Sequence, residues 1–302
     1  MVGAVCAIAL ANVIGGATYL GQKLALDGLP PITISMLRSV IAVGCLSLWA
    51  ARSGGLRLSF TRREHGRLAL LGMTAYALPL VLGVVGLRWS TAGNGSLLIL
   101  LEPPAILIFS RILLGERVRG AQAIGVGLGL LGALRIVLEE AQPGELLASD
   151  LLLGNLILAA HGILWGLFSP LMAPLMARHR AQDLTFMAIA WSLLLLVPAS
   201  LFEADQWSKG PHLLSSLGWT TALGVVGSFA GTLLWVGALR ELTPGVVAPF
   251  VFLQPVAGVL AGHLVLGERL SSDALLGGLL VAAGVLCVIW PRRRAPGLSA
   301  PS

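Results

Sequence analysis

"EPPAILIFSRILLGERV", residues 102–118, has a partner 152 positions later in "QPVAGVLAGHLVLGERL", residues 254–270. Each begins with a polar residue and a proline, runs on through apolar residues, and ends in Leu-Gly-Glu-Arg followed by an aliphatic residue. At that offset, Leu71–Leu138 aligns with Leu223–Trp290 without a gap, and 19 of the 68 positions are identical. The matches include Leu71/Leu223, Gly72/Gly224, Arg88/Arg240, Thr91/Thr243, Gly93/Gly245, Pro103/Pro255, Gly125/Gly277 and Gly132/Gly284. A chain rich in Leu and Gly gives some matches by chance. It does not readily align Leu-Gly-Glu-Arg, a proline and Arg-x-x-Thr in one frame, so the chain reads as a duplication.

What is duplicated is membrane-spanning. Of 302 residues, 56% are hydrophobic and only 11% charged, with mean hydropathy +0.89. A soluble domain carries about a quarter of its residues as charges. Apolar runs long enough to cross a bilayer lie near 2–22, 30–51, 67–87, 90–114, 120–138, 151–173, 184–202, 217–239, 243–266 and 274–290. The first has no basic segment before it and reads as a retained helix rather than a signal peptide. The expected architecture is an all-α integral membrane protein of ten transmembrane helices. They form two five-helix repeats, 1–145 and 150–292, with a short tail at 293–302. Five is odd, so the second repeat enters the membrane from the opposite side.

Basic residues orient the spans. With the N-terminus inside, 13 of the 20 Lys and Arg fall in cytoplasmic segments and 5 outside, while Arg38 and Arg111 lie within spans. The acidic stretch "LEEAQPGELLASD" then faces outward. The expectation is a multi-pass protein of the cell membrane with both termini cytoplasmic. The net charge of +6 is that of a basic surface facing anionic lipid and needs no nucleic acid. Cys6, Cys45 and Cys287 lie inside spans without metal-ligand spacing, as small packing residues do. No phosphate loop, zinc motif or nucleophile elbow occurs, and no cofactor is implied.

A carboxylate at the centre of a span costs about 2.5–3.5 kcal/mol on insertion scales. Glu102 occupies such a position, followed by two prolines. Its counterpart is Gln254, followed by Pro255. Proline removes a backbone donor and frees a carbonyl one turn earlier, which lipid tolerates only where protein or water satisfies the freed group. A polar residue before proline at equal depth in both halves therefore suits a cavity between them. Interrupted helices at the junction of inverted repeats mark substrate sites in secondary transporters. The structural alternative is a proline kink with Glu102 hydrogen-bonded to a neighbouring helix.

These residues resemble the drug/metabolite transporter superfamily, in its EamA-like branch. The likeness rests on the doubled Leu-Gly-Glu-Arg segments and on "KLALDGLPPITISMLRSVIAV", which places Arg38 at the family's usual arginine; it extends from Val2 to Trp290. It implies a ten-helix inverted-repeat fold and export of a small-molecule substrate by alternating access, not catalysis. Members often carry Trp-Gly in the first span. Here Ile14-Gly15 stands there, while the sixth span has Trp165-Gly166.

The candidate substrate-binding residues are Glu102, Gln254, Tyr76, His161, Trp165 and Phe250. His161 and Trp165 are four apart and share a helix face. An aromatic ring beside a titratable group suits a cationic or planar ligand, although packing is the commoner role of such residues. Trp235 reads as core or lipid-facing, and Asn12 and Asn94 as interhelical hydrogen bonds. Gly125-x-x-x-Gly129 and Gly227-x-x-x-Gly231 read as close helix contacts. Glu102 is the one acidic residue placed near mid-span, so it is the candidate carrier of a coupling proton. A membrane-embedded enzyme around Glu102 and His161, and a non-transporting scaffold, are the alternative classes.

Overall fold

The structure is a computed structural model, and it describes residues 1–140, 151–207, 212–257, 260 and 272–289. The second Leu-Gly-Glu-Arg copy, most of the acidic stretch and the basic tail lie outside the described residues. No strand occurs among the described residues. Helix α1 is Val2–Ala25 and α2 is Pro31–Arg52; α3 spans Arg62–Arg88. The next helical segment is interrupted: α4, Ala92–Leu98, leads through a 3₁₀ turn at Ile99–Leu101 into α5, Glu102–Leu114. Helix α6 is Gly120–Glu140, α7 Leu152–Leu175, α8 Ala181–Ser200, α9 Leu213–Ala238, α10 Pro244–Ala257 and α11 Ser272–Ile289. Six of these (α1, α2, α3, α7, α8 and α9) are long and apolar enough to cross a membrane.

Proline explains the interruptions. Pro103 and Pro104 supply no N–H, so the backbone before them tightens to 3₁₀ geometry. The other half does the same: Ala248–Phe252 is 3₁₀ just before Gln254-Pro255. Both third-position helices carry a wide turn. In α3 it is a π-helical segment at Leu71–Ala77 and in α9 one at Leu223–Gly231, and both begin at aligned leucines.

The two halves interlock. Helix α1 packs along α9, and α7 along α3. Helices α2 and α8 run antiparallel and are tied at both ends. At one end Glu203, just beyond α8, accepts from the amides of Ile32 (3.1 Å) and Thr33 (2.8 Å) and from the Thr33 hydroxyl (2.9 Å). At the other, Asp183 in the first turn of α8 accepts from the Arg57 amide at 3.0 Å and pairs with Arg180 at 2.7 Å. Helices α6 and α11 are also antiparallel. Gly125 lies against the Gly284 carbonyl and Gly132 against the Gly277 carbonyl, with no room for a Cβ at any of the four.

The largest apolar cluster fills the end of the bundle that carries Met1. It includes Ile8, Leu46, Leu71, Met172, Val236 and Phe250. Two smaller clusters, around Leu87 and around Ile34, pack toward the opposite end. Cys6 is exposed on the bundle surface; Cys45 and Cys287 are half-buried and unpaired.

Candidate functional site

A cavity of ≈ 130 Å³ lies between α1, α2, α3, α5, α7, α9 and α10. Five of the six residues singled out in the sequence line it: Glu102, Gln254, Tyr76, His161 and Trp165. Phe250 does not. It is fully buried in the apolar cluster at the Met1 end, because the 3₁₀ segment it sits in packs into that cluster.

Glu102 is the first residue of α5, placed there by the break that Pro103 and Pro104 impose. It is 5% exposed, and no hydrogen bond or ion pair engages its side chain among the described residues. A buried carboxylate without a protein partner is costly, and Glu102 lines the cavity. Gln254 is held differently: its Nε2 donates to Asn12 Oδ1 at 3.2 Å, and Asn12 Nδ2 donates to the Ile8 carbonyl at 2.8 Å. Asn12 therefore belongs to the cavity wall as well as to interhelical packing. Gly16 presses on the Gln254 backbone, so α1 and α10 touch backbone to backbone there.

His161 donates from Nδ1 to the Pro79 carbonyl at 2.6 Å, which turns Nε2 toward the Tyr19 hydroxyl, 3.5 Å away. Gly83 makes this possible, since a Cβ there would meet the imidazole at 2.7 Å. Trp165, one turn on, stands edge-on to His161 (centroids 6.3 Å, 87°) and to Tyr76 (5.7 Å, 87°). Phe168 completes an aromatic wall at 6.0 Å from Trp165. The Tyr76 hydroxyl approaches Ser228 and Thr232 without reaching hydrogen-bond geometry. Tyr76 and Ser228 are aligned residues, and each rides on the π-helical turn of its own helix.

Several lining residues were not singled out as site residues. Arg38, 5% exposed, reaches across from α2, and its Nε donates to Ser228 Oγ on α9 at 2.9 Å. Gly227 clears space for that guanidinium, with a Cβ position 3.0 Å from Nη2, and also lets α9 approach α1, where the same position lies 3.1 Å from Thr18 and that of Gly231 3.3 Å from Ile14. Trp235 lines the cavity and donates to Ser169 Oγ at 2.9 Å, so it is neither plain core nor lipid-facing. Ile14 and Gly15 also line the wall. The signal for Arg38 was present in the sequence as a cation inside a span; its counterpart in depth, Ser228, carries no charge to draw attention.

Residues 2–138 and 152–290 match the EamA-like transporter family. The chain belongs to that family. Among family-related proteins, it is 24% identical over 280 residues to an uncharacterized transporter of Archaeoglobus fulgidus, covering 92% of this chain and 94% of that one. It is 26% identical to a Streptantibioticus cattleyicolor protein described as a "Probable terminal-alkyne amino-acid exporter", covering 94% and 93%. It is 24% identical to an Escherichia coli protein described as a "Probable amino-acid metabolite efflux pump", covering 94% of each. A solved crystal structure of a protein 21% identical superposes with a TM-score of 0.73, covering 93% of this chain and 98% of that one, and shares the fold. The EamA-like chain is thus a multi-pass membrane protein of transporter type, with related transporters matching nearly its full length.

Proposed function

We propose that the protein is a secondary transporter that exports a small amino-acid-type metabolite by alternating access. The single observation that carries this reading is Glu102: a buried carboxylate, unpartnered among the described residues, on a broken helix in a cavity where both halves meet. The descriptions of the Streptantibioticus and Escherichia relatives support the amino-acid class and the outward direction.

The reading takes the chain as ten membrane helices in two inverted halves, 1–145 and 150–292, with both termini and the 293–302 tail cytoplasmic in the cell membrane. Aligned residues support the inversion. Gly125 and Gly132 correspond to Gly277 and Gly284, yet Gly125 meets Gly284 and Gly132 meets Gly277. That reciprocal exchange is what a two-fold axis between antiparallel copies produces. Rocking one half against the other opens the cavity to one side at a time, and Glu102 is the candidate for the coupling proton. Glu102, Gln254, Tyr76, His161 and Trp165 are the proposed substrate contacts.

The test is transport in proteoliposomes. Glu102→Leu is expected to reach the membrane folded and to abolish flux, and Gln254→Leu to impair it less. Folded Glu102→Leu protein with full flux would overturn the reading.

A further inference from the structure

The cavity holds a guanidinium and a carboxyl group that do not meet. Arg38 and Glu102 both line it and both are 5% exposed, and no ion pair joins them. Arg38 spends only Nε, on Ser228; its two terminal nitrogens make no hydrogen bond among the described residues. Charges buried for structural reasons pair with one another, because each alone carries a desolvation cost that only a partner offsets. Here α2 and α5 of the first half place the two on the cavity wall without a bond between them.

Resting on the transporter reading, we propose that Arg38 is a substrate-binding residue: its terminal nitrogens take the carboxylate of a small zwitterion whose ammonium group sits on Glu102. A guanidinium matches a carboxylate with two parallel hydrogen bonds. The Nε–Ser228 bond fixes the plane of the fork, and Gly227 leaves it room. Ser228 is then a positioning residue that acts through Arg38. The substrate side chain faces the wall of Tyr76, Trp165 and Phe168. The Arg38–Ser228 bond runs from α2 to α9, so the fork that takes the carboxylate is oriented from the other half.

The geometry demands both charges in one ligand. An amine alone leaves Arg38 buried without a partner, and a carboxylic acid alone leaves Glu102 so. Sites with buried polar groups reject ligands that fail to satisfy them far more strongly than apolar pockets reject a missing methylene.

The experiment uses full-length protein in lipid nanodiscs and two matched sets of probes. One is leucine, isopentylamine and 4-methylpentanoate; the other is phenylalanine, phenethylamine and 3-phenylpropionate. Binding is read by titration calorimetry and by the rise in thermal midpoint that a bound ligand produces. The amino acid of at least one set is expected to bind, with its amine and its acid weaker by roughly tenfold or more. Arg38→Gln is expected to erase the preference for amino acid over amine, and Arg38→Lys to restore it only in part, since a lysine lacks the planar fork. Ser228→Ala keeps the charge and is expected to weaken the amino acid alone, which keeps the test alive if the Arg38 variants do not fold. Equal binding of amine or acid, no binding by any probe, or discrimination unchanged in Arg38→Gln and Ser228→Ala would each overturn the proposal. Flux of another solute, such as a cationic dye, without zwitterion binding would sink the zwitterion site and leave the transporter reading standing. No flux of any solute above empty liposomes would sink the transporter reading itself.

Discussion

The Thr243 hydroxyl donates to Glu116 Oε1 at 2.7 Å, and this one hydrogen bond ties the ends of the two broken helices together. Glu116 follows α5, which begins at Glu102, and Thr243 is the N-cap of α10, which carries Gln254. Gln122 shares the same carboxylate oxygen at 3.5 Å, and the other, Oε2, is buried without a partner. Gly245 admits the group, for a Cβ there would crowd both Gln122 and Glu116. Thr91, aligned with Thr243, instead accepts from the Asn94 amide and caps its own helix. The cross-half bond sits at the Met1 end, where the apolar cluster closes the bundle.

Thr243→Val removes the donor and keeps the shape. It should favour the conformation opened at the Met1 end. In a background lacking the native cysteines, a cysteine replacing the fully buried Ala238 reports this by its alkylation rate. The rate should rise several-fold with Thr243→Val. An unchanged rate would mean that Glu116 does not hold this end shut.

Helix α2 has no side-chain cap of its own; Pro30 stands at its N-cap. The cap comes from the other half, as Glu203 takes the amides of Ile32 and Thr33 while Trp207 Nε1 donates to Thr33 Oγ1 at 2.8 Å. Glu203→Ala leaves those donors to water or to nothing and should cost about 1–3 kcal/mol. The check is thermal unfolding of purified protein. Trp207→Phe, which keeps the cap and drops one bond, should lower the midpoint by less.

A third prediction separates glycines by what faces them. Gly132 is pressed on the Gly277 carbonyl, whereas Gly127 faces open space. Gly132→Val should wedge α6 from α11 and cost at least the 1–3 kcal/mol or so typical of overpacking, read as lost yield of folded protein. Gly127→Val should be close to neutral. Equal yields of the two variants would contradict the contact.

The duplication was legible because insertion in a membrane leaves a strong signature: apolar runs, and prolines only where their freed carbonyls find partners. Glu102 and Gln254 stood out for the same reason, being polar in an apolar run. Phe250 did not follow, since an aromatic residue in such a run is equally suited to lipid, core or cavity and only the local twist of the backbone decides. Tyr76 and Ser228 owe their places to π-helical turns, and nothing in residue spacing announces an extra residue per turn. Arg38 was visible as a charge but not as a site, because its role depends on Ser228 and Gly227 from a helix about 190 residues away.

The last prediction concerns coupling. Glu102 has no protein partner among the described residues, so whatever balances its charge enters through the cavity. Burial favours the protonated carboxyl, while water or a cation beside it favours the ionised form. The proposed alternating access would change those conditions at each turn, and an arriving ammonium group would compete with the proton for the same oxygens. On the proposed cycle, substrate movement one way should then be exchanged for proton movement the other way. Glu102→Gln keeps the shape and the hydrogen-bonding capacity but cannot release a proton. In proteoliposomes it should retain substrate-for-substrate exchange and lose transport driven by a pH gradient. Wild-type protein measured alongside should show both. Undiminished pH-driven transport by Glu102→Gln would assign the proton elsewhere, or to no residue, and would leave Glu102 as a binding group alone.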